Sequence, residues 1–223
     1  MLQPSTIRFI KELKKNNNKP WFDAHRKVYE AAKADFSGFI QKVIDLHGKK
    51  DPGIKNLLAK DCLFRINRDI RFSKDKSPYK TNFGASINKG GKSAWNSAGY
   101  YFHLEPGGCF AGGGLYQPPP EDLRKVRQEI DYNFGAFKKI IGSKKFKSVY
   151  GDLDRSAEFL LTRLPKGYEP GNPAGDYLRL KSFIAMINMP DADLTSPALV
   201  KKTVAAYEAL QPLITFINEA LAE

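Results

Sequence analysis

Tyr100-Tyr101-Phe102-His103-Leu104-Glu105 places Tyr100, Phe102 and Leu104 in alternation with a phenol, an imidazole and a carboxylate. A period of two is the spacing of a strand that buries one face and leaves the other to polar chemistry. The same alternation runs through Cys62, Phe64 and Ile66 against Leu63, Arg65 and Asn67, and through Phe83, Ala85 and Ile87 against Gly84 and Ser86. Cys109-Phe110-Ala111 then enters the run Gly112-Gly113-Gly114, which together with Pro118-Pro119-Pro120 is expected to close the sheet. Turn residues rather than crossover helices separate these runs. The expectation is an α+β fold with a mostly antiparallel sheet of about four or more strands in the middle of the chain.

Outward from the sheet the period becomes helical. Ile7, Ile10 and Leu13, with Phe9 beside them, follow Ser5, a candidate N-cap, and Asn16-Asn17-Asn18 ends the pattern. A long amphipathic helix is expected from Pro20 to Gly48, with Phe22, His25, Tyr29, Ala32, Phe36, Phe39, Ile40, Val43 and Ile44 on one stripe. Stripes of this kind face a core, so Trp21, Phe22, Tyr29 and Phe36 read as packing and His25 as a packed, hydrogen-bonded histidine. Pro119 or Pro120 should open a further helix bearing Leu123, Val126, Ile130, Phe134 and Phe137. Residues 142 to 176 read as loops with a short helix near Ala157 to Leu161. A last helix, Ser196 to Leu221, should kink or restart at Pro212 and pack against the sheet. Long N-terminal and C-terminal helices thus flank the sheet in what reads as a single domain, 1–223.

Composition narrows the class. Met1 to Lys11 holds no apolar run of signal-peptide length, and no stretch approaches the roughly 18 uninterrupted apolar residues of a membrane helix. A cytoplasmic protein without a membrane partner is expected. Cys62 and Cys109 lie in separate apolar runs, which fits reduced core thiols rather than a disulfide framework or a zinc pair. The formal charge of +12 is uneven, since residues 1 to 80 carry 19 Lys+Arg against 9 Asp+Glu while the remainder carry 17 against 15. Such asymmetry points to an anionic partner, or to a solvated lysine-rich face.

The polar chemistry concentrates in Phe64-Arg65-Ile66-Asn67-Arg68-Asp69-Ile70-Arg71-Phe72-Ser73-Lys74-Asp75-Lys76-Ser77-Pro78-Tyr79-Lys80, with six cations and two carboxylates. Arg65, Arg68, Arg71 and Lys76 are candidate ligands for phosphate or carboxylate, Asp69 and Asp75 their orienters, and Tyr79 a hydrogen-bonding wall. Two carboxylates suffice for about two of the three guanidinium groups, and Arg68 is the one expected to remain free. The competing reading is a structural Arg–Asp clasp that pins a long loop. A second candidate group is Tyr101, His103 and Glu105, which share one strand face; His103 and Glu105 are the candidate catalytic acid/base pair. His-x-Glu supplies two ligands at most, and with His25 and His47 on a helix no metal set is assigned. The Gly112–Gly114 run matches neither a Walker loop nor a dinucleotide fingerprint, and Arg179 and Lys181 form a late basic pair open to the same anion.

Arg65, Arg68, Asp69, Arg71, Phe72, Asp75, Lys76 and Tyr79 spell R-x-x-R-D-x-R-F-x-x-D-K-x-x-Y, which resembles the signature of a mainly bacterial family of conserved proteins known as a domain of unknown function. The likeness extends to the N-N-N-K-P-W-F segment and to Tyr101 through Gly107. It implies no activity, cofactor or oligomeric state. Function therefore rests on the residues: a site for a phosphate- or carboxylate-bearing small molecule first, a nucleic-acid surface in which Phe72 or Tyr79 stacks on bases second, and a non-enzymatic scaffold third.

Overall fold

The three asparagines that end the first apolar pattern have three different tasks in the computed structural model, which describes residues 1–93 and 96–222. Helix α1 is Pro4–Lys15, and the side-chain amide of Asn16 closes it by donating to Glu12 O at 3.0 Å. Asn18 opens α2, Lys19–Ala24, by accepting from Trp21 N at 3.0 Å. Asn17 turns away and meets the main chain of Tyr79, donating to its carbonyl at 2.9 Å and accepting from its N–H at 3.1 Å. Ser5 is not the cap of α1. Gln3 holds that position without a side-chain bond, and Asp35 serves instead, accepting from Gln3 N at 2.8 Å and from the Thr6 hydroxyl at 2.6 Å.

The long second helix is broken once. His25 leaves helical geometry between α2 and α3, Arg26–His47, and its Nδ1 lies 2.8 Å from Trp21 O while its ring stacks on Trp21 at 4.0 Å. A side chain that partners a terminal carbonyl makes such a break inexpensive. Beyond a short α4, Ala59–Cys62, come the strands β1, Phe83–Ile87, β2, Gly99–Leu104, and β3, Phe110–Leu115. Then follow α5, Pro120–Tyr132, α6, Phe134–Ile141, α7, Lys144–Tyr150, α8, Gly175–Leu178, β4, Phe183–Asn188, α9, Asp191–Leu194, and α10, Leu199–Ala222. The fold is α+β, and the sheet order is β1-β2-β3-β4.

Four expectations about the elements need correction. The run from Cys62 to Ile66 is no sheet strand: it pairs only through isolated antiparallel bridges, Leu63 with Ala85 and Asn67 with Tyr79. Four steps on one side face six on the other, so the surplus residues bulge and a regular ladder cannot form. The fourth strand is instead β4, antiparallel to β3, because Gly112 lies against Ala185 and Gly114 against Phe183. The glycine run sits inside β3 rather than closing the sheet. A Cβ on Gly112, Gly113 or Gly114 would stand 2.3, 2.2 or 2.0 Å from the carbonyl oxygens of Ala185, Gly99 and Phe183, and Gly114 also has φ +123°. Residues 142 to 176 hold α7 and the 3-10 turn Ala157–Phe159 as well as loops, and α10 runs through Pro212, which excludes the restart and leaves the kink as the other expected outcome.

The chain divides into two compact units. The first, Met1–Lys92, Tyr101–Ala111 and Asn188–Ala205, has an aromatic core in which Phe36 meets Phe83 at 5.5 Å, Phe39 meets Phe102 at 4.8 Å and Phe22 stacks on Tyr79 at 3.9 Å. The second, Ser93–Tyr100, Gly112–Ile187 and Ala206–Glu223, centres on Phe137, Phe146, Phe183 and Tyr207, with Tyr100 and Tyr207 4.8 Å apart. Both cysteines are buried free thiols in the first unit. Among the described residues no helix is long and apolar enough to cross a membrane.

Candidate functional site

The arginine-rich segment is the arm of a bulged hairpin. Phe64 N donates to Gly84 O at 3.0 Å, Lys80 N to Ile66 O at 2.8 Å and Arg68 N to Pro78 O at 3.0 Å, which leaves residues 69 to 77 as the loop. Inside that loop Asp69 takes the guanidinium of Arg71 in a two-pronged grip, Nε at 3.0 Å and Nη2 at 2.7 Å. Asp75 is bonded to Arg68 and also accepts from Ser77 N at 2.8 Å, and the Lys76 ammonium donates to Ile70 O at 3.0 Å. The Ser77 hydroxyl and then Arg68 hold the Asp75 carboxyl well below the usual carboxylate range, and Arg71 lowers Asp69 in the same sense. Asp69 and Asp75 thus orient two guanidinium groups. Arg68 is not the free one.

Arg65 is. It is exposed, and among the described residues no carboxylate lies within ion-pairing distance of it, although Asp69 is near enough to feel its charge. Its neighbour across the hairpin is Lys80, whose ammonium lies over the Phe64 ring, 5.4 Å from its centroid. Burial lowers the Lys80 pKa first, and the like charge of Arg65 lowers it further. Tyr79 is no wall: it is 6% exposed, and its ring is committed to Phe22 and its main chain to Asn17.

On β2 the alternation is realised, with Tyr100, Phe102 and Leu104 buried and Tyr101, His103 and Glu105 half-buried on the other face. The Tyr101 hydroxyl lies 3.2 Å from His103 Nδ1, and His103 Nε2 lies 3.4 Å from Glu105 Oε2. Glu105 Oε1 accepts from the Thr81 hydroxyl at 3.3 Å and from the Lys14 ammonium at 3.4 Å. Phe110 stacks flat on the imidazole, 4.9 Å between centroids. Gly84 leaves the space that the phenol fills, since a Cβ there would be 2.6 Å from the Tyr101 oxygen. The two ring nitrogens of His103 thus face a phenol on one side and a carboxylate on the other, both groups with which an imidazole can exchange a proton.

The two groups meet at the root of the hairpin and not at its tip. Phe64 stands 6.3 Å from the Tyr101 ring while carrying Lys80 on its face, and Thr81 joins the hairpin to Glu105. Arg68, Arg71 and Lys76 spend donors within the loop. Lys14, Lys80 and Thr81 belong to the site although sequence reasoning gave them no role. Lys14 and Glu105 are 91 residues apart, and no local pattern announces such a contact. Arg179, one of the late basic pair, is held by Asp176 at 2.8 Å within the second unit. Among the described residues no group of three His, Cys, Asp or Glu side chains is disposed to hold a metal ion. Residues 5–216 match the family model described as "Conserved hypothetical protein (DUF2461)". No curated protein and no solved structure matches the chain.

Proposed function

We propose, from the premise that the chain belongs to the DUF2461 family of conserved hypothetical proteins, that it binds a small molecule bearing a phosphate or carboxylate at the root of the hairpin. The observation that carries the reading is Arg65, exposed and outside ion-pairing distance of every described carboxylate, beside a Lys80 ammonium that lies over the Phe64 ring and whose pKa is lowered by burial first and by Arg65 second. An anion seated there relieves the repulsion and accepts charge-assisted hydrogen bonds from a planar guanidinium fork and an ammonium. The remainder of the ligand would lie over Phe64 toward Tyr101, where His103 and Glu105 are arranged to take up or return a proton. The hairpin network of Arg68, Asp69, Arg71 and Asp75 then serves as the clasp that keeps Arg65 and Lys80 in register.

Calorimetric titration with citrate and with inorganic phosphate tests this. The parent should bind at least one of them, Arg65→Ala and Lys80→Ala should each weaken that binding, and His103 ring resonances should shift on titration. Equal binding by parent and both variants, or no binding by the parent, removes the reading. Binding with no response at His103 leaves an anion site without acid/base chemistry.

A further inference from the structure

We infer that the tip of the hairpin is a stacking platform for the unpaired bases of a single-stranded nucleic acid. Phe72 is 94% exposed, the extreme among the described large apolar side chains. The Asp69–Arg71 fork, the Arg68–Asp75 pair and the Lys76 bond to Ile70 O tie the tip to itself on both sides of the ring. A platform fixed in advance loses little freedom when a ligand lands on it.

The surroundings decide which ligand. The Arg71 guanidinium lies 5.7 Å from the Phe72 centroid, and the exposed Lys74 follows two residues later. The loop, residues 69 to 77, carries Arg71, Lys74 and Lys76 against Asp69 and Asp75, and it stands on a chain of net charge +12. Single-stranded nucleic acid offers both complements, a flat base for the ring and a phosphate at every step for the cations. A lipid surface fits less well. The neighbouring Arg71 and Ser73 provide no contiguous apolar wedge for insertion.

Fluorescence anisotropy with a labelled oligouridine of about 12 nucleotides tests the inference, with a duplex of equal length and phosphatidylserine vesicles as the other arms. Phe72→Ala, which touches nothing buried, should weaken oligouridine binding about tenfold and leave the slope of log affinity against log salt unchanged. Phe72→Trp should restore the affinity. Lys74→Ala should reduce the slope by about one, and duplex binding should be weaker and indifferent to position 72. Oligouridine binding equal in parent and Phe72→Ala overturns the inference, as does dependence on Phe72 that appears with vesicles and not with oligouridine. Because citrate binding at Arg65 and Lys80 is measured separately, failure of one site is distinguishable from failure of the other.

Discussion

Arg65 is the guanidinium that two carboxylates leave over, and its removal separates binding from stability. Arg65→Ala should leave the urea midpoint unchanged and cost citrate or phosphate affinity about 1.5–3 kcal/mol, a charge-assisted hydrogen bond's worth. Arg68→Ala should act through the clasp instead, loosening the loop and lowering anion affinity only as far as Arg65 and Lys80 lose their register. The Asp75 carboxyl reports that loosening directly. Its folded pKa is depressed below the unfolded value of about 3.9, so the stabilisation it contributes is complete above that pH and is lost as pH falls through the folded pKa. Arg68→Ala removes one of the two main causes, and the Asp75 titration followed by carbon NMR should move upward; an unmoved midpoint contradicts the pairing. The ratio of two acids to three arginines was legible in the sequence. Which arginine remains was not, because Asp69 finds Arg71 two residues away while Asp75 finds Arg68 seven residues away, across a loop whose path no local pattern gives.

The strands divide into those whose pattern speaks and those whose pattern misleads. β2 was readable because one of its faces is core and the other polar. β4 carries Phe183, Ile184 and Ala185 in succession, all buried, so it has no period of two to detect. Cys62 to Ile66 has the period and yet only isolated bridges, since the bulge opposite it is a property of the partner segment. The glycines of β3 are legible as glycines but not as a requirement; that follows from the carbonyl oxygens at 2.0 to 2.3 Å from the missing Cβ positions. Gly114→Ala should therefore cost about 1–3 kcal/mol or more from overpacking, with added backbone strain, measured by urea denaturation. A neutral result would mean that β3 and β4 stand farther apart than described. The helix break at His25 escaped the apolar stripe for a related reason, because the stripe continues through it and the interruption is made by a histidine that bonds Trp21 O.

Over the whole molecule, the α+β class was legible in the periods of the apolar residues. The cysteines give a direct measure of integrity. Burial pushes both the Cys62 and Cys109 thiols up to about 11, so at pH near 8 neither should react with an aromatic disulfide reagent, and unfolding should release two equivalents. Rapid reaction of either thiol in the native protein would contradict the packing of the first unit. Asn17 has a consequence in time. Its side chain supplies both the donor and the acceptor that a neighbouring strand would give Tyr79, but it does so from 62 residues away. A rung that closes so large a loop is expensive to form early, since closure entropy grows with loop length and is repaid only when the flanking contacts exist. It should form after the rate-limiting step. Asn17→Asp keeps the acceptor and sets a carboxylate against the Tyr79 carbonyl, so stopped-flow mixing should find unfolding accelerated and refolding unchanged. The hairpin would then be the last part of the first unit to lock and the first to let go.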